Sequence, residues 1–175
     1  MSTTKPQLDV RGEVLTARQH GEHGVVASER LAHHLQAVLV DLVELANQGK
    51  QAHWNVVGPS FRDTHLHLDA IVEAAREHAD VFAERLRALH ALPDGRSTTV
   101  VASTTLPQYP DGEVSSAKTV DLVTTRIDAT VATLRTVHDE VDEDDPTSAD
   151  LVHAAIADLE KLSWMLAAEL RTPQG

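Results

Sequence analysis

The sequence predicts an all-α fold built as a four-helix bundle. Four segments carry apolar residues at helical spacing, and no stretch of any length alternates with a period of two as a half-buried strand would. The core-forming residues are mostly Leu, Val and Ala, with aromatics at only 3% of a chain that is 42% apolar, a composition suited to helix packing. At 175 residues the chain is one domain by length, large enough for a sizeable core.

Residues 1–26 show no strong helical periodicity and are expected to form a tail ahead of a bundle over 27–171, with 172–175 as a short C-terminal tail. The first helix is expected from Ala27 to about Val56, with Ser28 as a cap and Leu31, Leu35, Val38, Leu42, Leu45 and Ala46 on its apolar stripe. After the break at Gly58-Pro59, Ser60 and Asp63 read as a capping-box-like start to a second helix reaching His90. The third fits Ser116 to Val141, with Val120, Val123, Ile127, Val131 and Leu134 on one side. Its β-branched content means that packing, not propensity, must hold it. The run DEVDEDD then reads as a solvated interhelix turn. A fourth helix is expected from Thr147 to Arg171, with Leu151, Ala155, Leu159, Leu162 and Leu166 along its core stripe.

The chemistry-bearing stretch is His53 to Glu84. His65, Asp69, Asp80 and Glu84 fall at roughly 0°, 40°, 60° and 100° around the second helix, so all four leave from one face. His53 lies as far before the Gly-Pro turn as His65 lies after it, and an antiparallel hairpin brings the two imidazoles together. The His65/Asp69 and Asp80/Glu84 pairs are centred about 22 Å apart along the axis, whereas metal–ligand bonds are about 2 Å long. One helix cannot close both pairs on one metal. Two copies crossing about a two-fold axis can, with His53, His65 and Asp69 of one chain meeting Asp80 and Glu84 of the other. Trp54 beside His53 reads as a hydrophobic anchor at the hairpin end. His67 and His78 lie off the ligand stripe, and His33 and His34 face too far apart to share a metal.

The run AHWNVVGPSF, followed by His65, Asp69, Asp80 and Glu84, resembles the ferroxidase signature of the Dps family, the mini-ferritins. The resemblance extends over roughly residues 27 to 171, through DLEKLSWML around Trp164. It implies a ferritin-like bundle with a short extra helix, near residues 95–103, in the long connection between helices two and three. It implies a two-iron ferroxidase centre held by His53, His65, Asp69, Asp80 and Glu84 between subunits of a hollow dodecamer. Fe(II) and hydrogen peroxide are then the substrates, with oxygen slower, and Fe(III) is stored as mineral, which protects the cell from oxidative damage. Trp54 becomes an aromatic beside the iron site. Asp142, Asp145 and Asp150 become candidates for a three-fold entry pore at the start of the last helix. No pair of Glu-x-x-His motifs of the larger ferritins is present, which favours the intersubunit site.

Charge and composition set limits. The net charge of −12 becomes 12 × −12, about −144, over a dodecamer, a field that draws in cations and repels phosphates. Residues 1–26 balance Lys5, Arg11 and Arg18 against Asp9, Glu13 and Glu22, so DNA binding is expected to be weak, although a nucleoid-binding protein is the alternative function. His20 and His23 in the same tail are candidates for a second metal. With no cysteine, disulfides and thiolate metal sites are excluded. No signal-peptide pattern and no apolar run of membrane-spanning length is present, so the cytoplasm is the expected location and no membrane partner is expected.

Overall fold

A computed structural model describes residues 24–173. Five helices and two very short strands follow in the order α1 (Glu29–Asn55), β1 (Val56–Val57), α2 (Phe61–Ala88), α3 (Ser97–Ser103), β2 (Val114–Ser115), α4 (Ser116–Asp144) and α5 (Pro146–Ala168). Helix α1 packs on α2 and α4, α5 packs on α4 and α2, and the four long helices close a bundle with α3 as the short extra helix outside it. The expected stripes point inward: Leu31, Leu35, Val38, Leu42, Leu45 and Ala46 of α1 are all buried, as are Val120, Val123, Ile127, Val131 and Leu134 of α4. From α2 come Leu68, Ile71 and Phe82, and from α5 Val152, Ala155 and Leu159. Full burial of each large side chain contributes about 1.5–3 kcal/mol, which offsets the weak helix propensity of α4.

Local signals set the ends. Ser28 caps α1, its Oγ accepting from the Leu31 N–H at 3.0 Å, and Ser115 caps α4 through the Lys118 N–H. The capping box expected at Ser60 does not form: Ser60 is the N-cap residue but makes no side-chain cap bond. Backbone bonds serve instead, from the Phe61 N–H to the Gly58 carbonyl at 3.1 Å and from the Thr64 N–H to the Ser60 carbonyl at 3.0 Å. Gly58 has a φ of +121°, and a Cβ there would stand 3.1 Å from Ser116 Oγ, so the turn requires glycine. Its strand residues Val56 and Val57 pair in parallel with Val114 and Ser115, tying the end of α1 to the start of α4, a bridge too short for periodicity to reveal. At the other end of α2, His90 adopts φ 62°, and the His90 and Ala91 N–H groups return to the carbonyls of Arg87 and Leu86 in a Schellman-type cap.

The acidic run is not a solvated turn. Helix α4 continues through Asp144, and Asp145 alone separates it from α5. Carboxylates at a helix C-terminus oppose the macrodipole, and here cations and donors of α1 answer them. Arg30 pairs with Glu143 at 3.0 Å and with Asp144, Ser28 Oγ donates to Asp144 at 2.9 Å, and His34 meets Glu140 at 2.9 Å.

The long connection between α2 and α4 is anchored by two buried charges. Asp41 of α1, fully buried, accepts from Thr104 Oγ1, the Thr105 N–H, Thr105 Oγ1 and Thr133 Oγ1, all at 2.7–2.8 Å. Arg126 of α4, also buried, donates to Gln48 and to the carbonyls of Leu122 and Gln108, and lies 5.1 Å from the centre of the Tyr109 ring. Buried charges persist only when satisfied in this way, so each fixes one stretch of the connection.

Candidate metal centre

Helices α1 and α2 pack closely beside the site. A Cβ on Gly49 would lie 3.0 Å from Val72 Cγ2, so the absence of a side chain at Gly49 lets the Val72 methyl pack directly against the α1 backbone. One turn on, His53 of α1 and His65 of α2 stack with ring centres 3.6 Å apart and planes 25° from parallel. The contact is reciprocal: His53 Nδ1 lies 3.1 Å from the His65 carbonyl oxygen, and His65 Nδ1 lies 3.0 Å from that of His53. A carbonyl oxygen can only accept, so each Nδ1 carries a proton and Nε2 is the nitrogen left to meet a metal. Second-partner bonds of this kind orient metal-binding histidines.

Asp69 completes a group whose ligand atoms all lie within 4.8 Å of one another: His53, His65 and Asp69. His53 is buried, while His65 and Asp69 are partly open, so the group has a dry wall and a wet mouth. Asp69 Oδ1 also accepts from Lys50 Nζ at 2.6 Å. That bond, with the nearby imidazoles assisting, holds the Asp69 carboxyl below the usual carboxylate range against the opposing effect of desolvation. Asp69 is thus kept anionic, but one of its oxygens is shared with a cation. Sequence reasoning missed Lys50, although its place three residues before His53 puts it on the same side of α1.

Asp80 and Glu84 do not join this group within one chain. Both are exposed on α2, further along the same face, as the helical spacing requires. An open cleft of about 610 Å³ runs between the two halves of the ligand stripe, with Lys50, Asp69, Arg76 and Asp80 among its lining residues. Exposed apolar residues flank the histidine end: Trp54 is 67% exposed, Leu66 55% and Phe61 44%. Trp54 therefore does not anchor the hairpin within its own chain.

The other expected residues separate. His67 Nε2–H donates to the Leu162 carbonyl at 3.1 Å, and His78 is paired with Asp158 at 3.1 Å, so both are engaged between helices and stand apart from the cluster. Asp142 and Asp150 are exposed near the junction of α4 and α5. Asp145 differs: it is buried, caps α5 through the Ser148 N–H, and takes Arg85 Nη2 at 2.6 Å. His20 and His23 lie outside the described residues.

Comparison with known proteins bears on the family and the fold. A family model for the ferritin-like domain matches residues 32–174. A fine tangled pili major subunit of Haemophilus ducreyi is 36% identical over 151 residues, 86% of this chain and 80% of that protein. A DNA protection during starvation protein of Agrobacterium fabrum is 34% identical over 138 residues, covering 78% of this chain and 85% of its own. Among solved structures, Dps92 from Deinococcus radiodurans superposes with a TM-score of 0.80 at 33% identity, over 83% of this chain and 88% of that one. Dps from Microbacterium arborescens, in a high iron form, gives 0.78 at 32% identity over 84% and 99%. The chain belongs to the Dps family of ferritin-like proteins, a family of iron storage and DNA protection.

Proposed function

We propose that this protein is a ferroxidase that stores iron: it binds Fe(II) between two-fold-related subunits, oxidises it with hydrogen peroxide in preference to oxygen, and holds Fe(III) as hydrous oxide inside a hollow dodecamer. The observation that carries the reading is a half-site. His53, His65 and Asp69 bring ligand atoms within 4.8 Å of one another, while Asp80 and Glu84 stand exposed about 22 Å further along the same helix face. A second copy crossing antiparallel supplies Asp80 and Glu84 to complete five ligands, and the exposed Trp54, Phe61 and Leu66 give such a copy an apolar surface to cover.

Imidazoles with hard carboxylates suit Fe(II) and bind Fe(III) more tightly once it forms. Two Fe(II) ions give up one electron each. Hydrogen peroxide accepts both, its O–O bond breaks, and with two protons it leaves as two waters. A neighbour solved in a high iron form supports iron as the cargo. Trp54 then lies beside the assembled centre. Entry through a three-fold pore is assigned to Asp142 and Asp150 rather than Asp145, whose carboxylate is engaged by Arg85 and Ser148. The protein works in the cytoplasm, and its net charge of −12 with a neutral tail keeps DNA binding weak.

The test compares Fe(II) oxidation on adding peroxide anaerobically, and on adding air, for wild type and Asp80→Ala/Glu84→Ala, with both proteins sized in solution. Fast peroxide-driven oxidation, lost in a variant that still assembles, supports the reading. Equal rates in the two proteins overturn it. A salt-dependent shift of DNA by the intact protein, without ferroxidase activity, favours the nucleoid-binding alternative instead.

A further inference from the structure

A second histidine pair lies in the seam between α4 and α5, outside the proposed ferroxidase centre. His138 Nε2 and His153 Nε2 face each other at 2.6 Å, with ring centres 4.6 Å apart. The far nitrogen of His138 is hydrogen-bonded to a carboxylate, and that of His153 has one nearby. His138 Nδ1 lies 2.8 Å from Asp139 Oδ1, and His153 Nδ1 lies 4.0 Å from Asp150 Oδ1. Since a carboxylate only accepts, Asp139 fixes the proton of His138 on Nδ1 and leaves Nε2 as a lone pair. Asp150 Oδ1, at 4.0 Å, is too far to hydrogen-bond His153 Nδ1. In the free protein His153 Nε2–H donates to the His138 lone pair, so a cation that displaces this proton meets two imidazole nitrogens converging on one point, one of them oriented by an acid as histidine ligands at metals are.

We infer that His138 and His153 form a separate binding site for an imidazole-preferring divalent cation of the zinc or copper class. Imidazole nitrogen suits these ions, and a site with no carboxylate in direct contact selects against harder Fe(II). Two Zn–N bonds of about 2.0–2.1 Å at a tetrahedral angle place the nitrogens about 3.3 Å apart, so the pair must open by about 0.7 Å to admit the ion. His153 has the freedom to do so, its side chain being 60% exposed, and water fills the remaining positions. The two rings come from helices that meet only in the fold, 15 residues apart in sequence.

Zinc titration of the intact protein, followed by calorimetry, tests the site. His65→Ala/Asp69→Ala serves as the background, so that binding at the intersubunit cluster is removed. In that background, His138→Ala/His153→Ala is expected to lose one zinc per chain. Asp139→Asn keeps both rings and is expected to weaken the same zinc by about tenfold. Peroxide-driven Fe(II) oxidation in His138→Ala/His153→Ala, with the other cluster intact, is expected to match wild type. Zinc stoichiometry and affinity equal in the background and in His138→Ala/His153→Ala overturn the inference. Failure of the ferroxidase reading leaves it untouched, because zinc binding is the readout.

Discussion

His53 and His65 hold each other in place: each ring stacks on its neighbour at 3.6 Å, and each Nδ1–H donates to the other residue's carbonyl oxygen, at 3.1 and 3.0 Å. Neither imidazole is oriented independently of the other. Removing one ring takes a ligand and also frees its neighbour to turn.

The two histidines should therefore behave as a unit. His53→Ala and His65→Ala are each expected to weaken anaerobic Co(II) binding by about 10–100-fold, the range for lost orienting partners. The double variant should fall little further than either single one, since residues sharing a network are not additive. Additive losses in a double-mutant cycle would show two independent ligands.

Lys50 sets a second expectation. Its ammonium lies 2.6 Å from Asp69 Oδ1, where it keeps the carboxylate charged and also competes with an incoming cation. Lys50→Gln removes the competitor and leaves a polar side chain of similar reach. Because the pair is solvent-screened, Fe(II) affinity should rise only by about two- to fivefold. An affinity that falls would mean that Lys50 chiefly positions Asp69.

Much of this was legible in the sequence because it depends on helical periodicity. The inward stripes of α1 and α4 and the shared face of His65, Asp69, Asp80 and Glu84 follow from a repeat of 3.6 residues. The unreadable parts depend on pairs brought together by the fold. Asp41 looks like one more polar residue on α1, and nothing local shows that Thr104, Thr105 and Thr133 will surround it. Likewise, DEVDEDD carries no breaker before Pro146, and its compensating cation, Arg30, lies more than a hundred residues away. Composition alone suggested a turn; a long-range ion cluster made it a helix.

Asp41 carries the third expectation. Its carboxylate is fully buried and receives four hydrogen bonds, from three threonines. Asp41→Ala leaves those donors with no acceptor, and lost bonds to a charged group cost about 1.5–3 kcal/mol each at most sites. Relaxation and water entry recover part of that, so a net loss of about 3 kcal/mol is expected in urea unfolding. Protease cleavage should appear first between α3 and α4, where the connection loses its anchor. A loss below about 1 kcal/mol would mean that the threonines find water at little cost.

The fourth expectation concerns acid. Burial pushes the Asp145 carboxyl up, but the bonds from Ser148 and Arg85 outweigh it, and its pKa lies below the usual value. A carboxyl with a lower pKa folded than unfolded binds fewer protons in the native state, so it stabilises the fold above the unfolded pKa near ~3.9. That stability is lost as pH falls from about 5 through the unfolded value toward the depressed folded one. Asp145→Asn retains a capping side chain but has no charge to titrate or to pair with Arg85. At neutral pH it should cost about 1 kcal/mol, the scale of a helix cap. Between about pH 5 and 3, the stability of Asp145→Asn should fall less steeply than that of wild type, so that the two curves converge. Urea midpoints measured across that range decide the matter, and parallel curves would place the acid sensitivity in other carboxylates, Asp94 beside Arg96 and Asp144 beside Arg30 being the next to test.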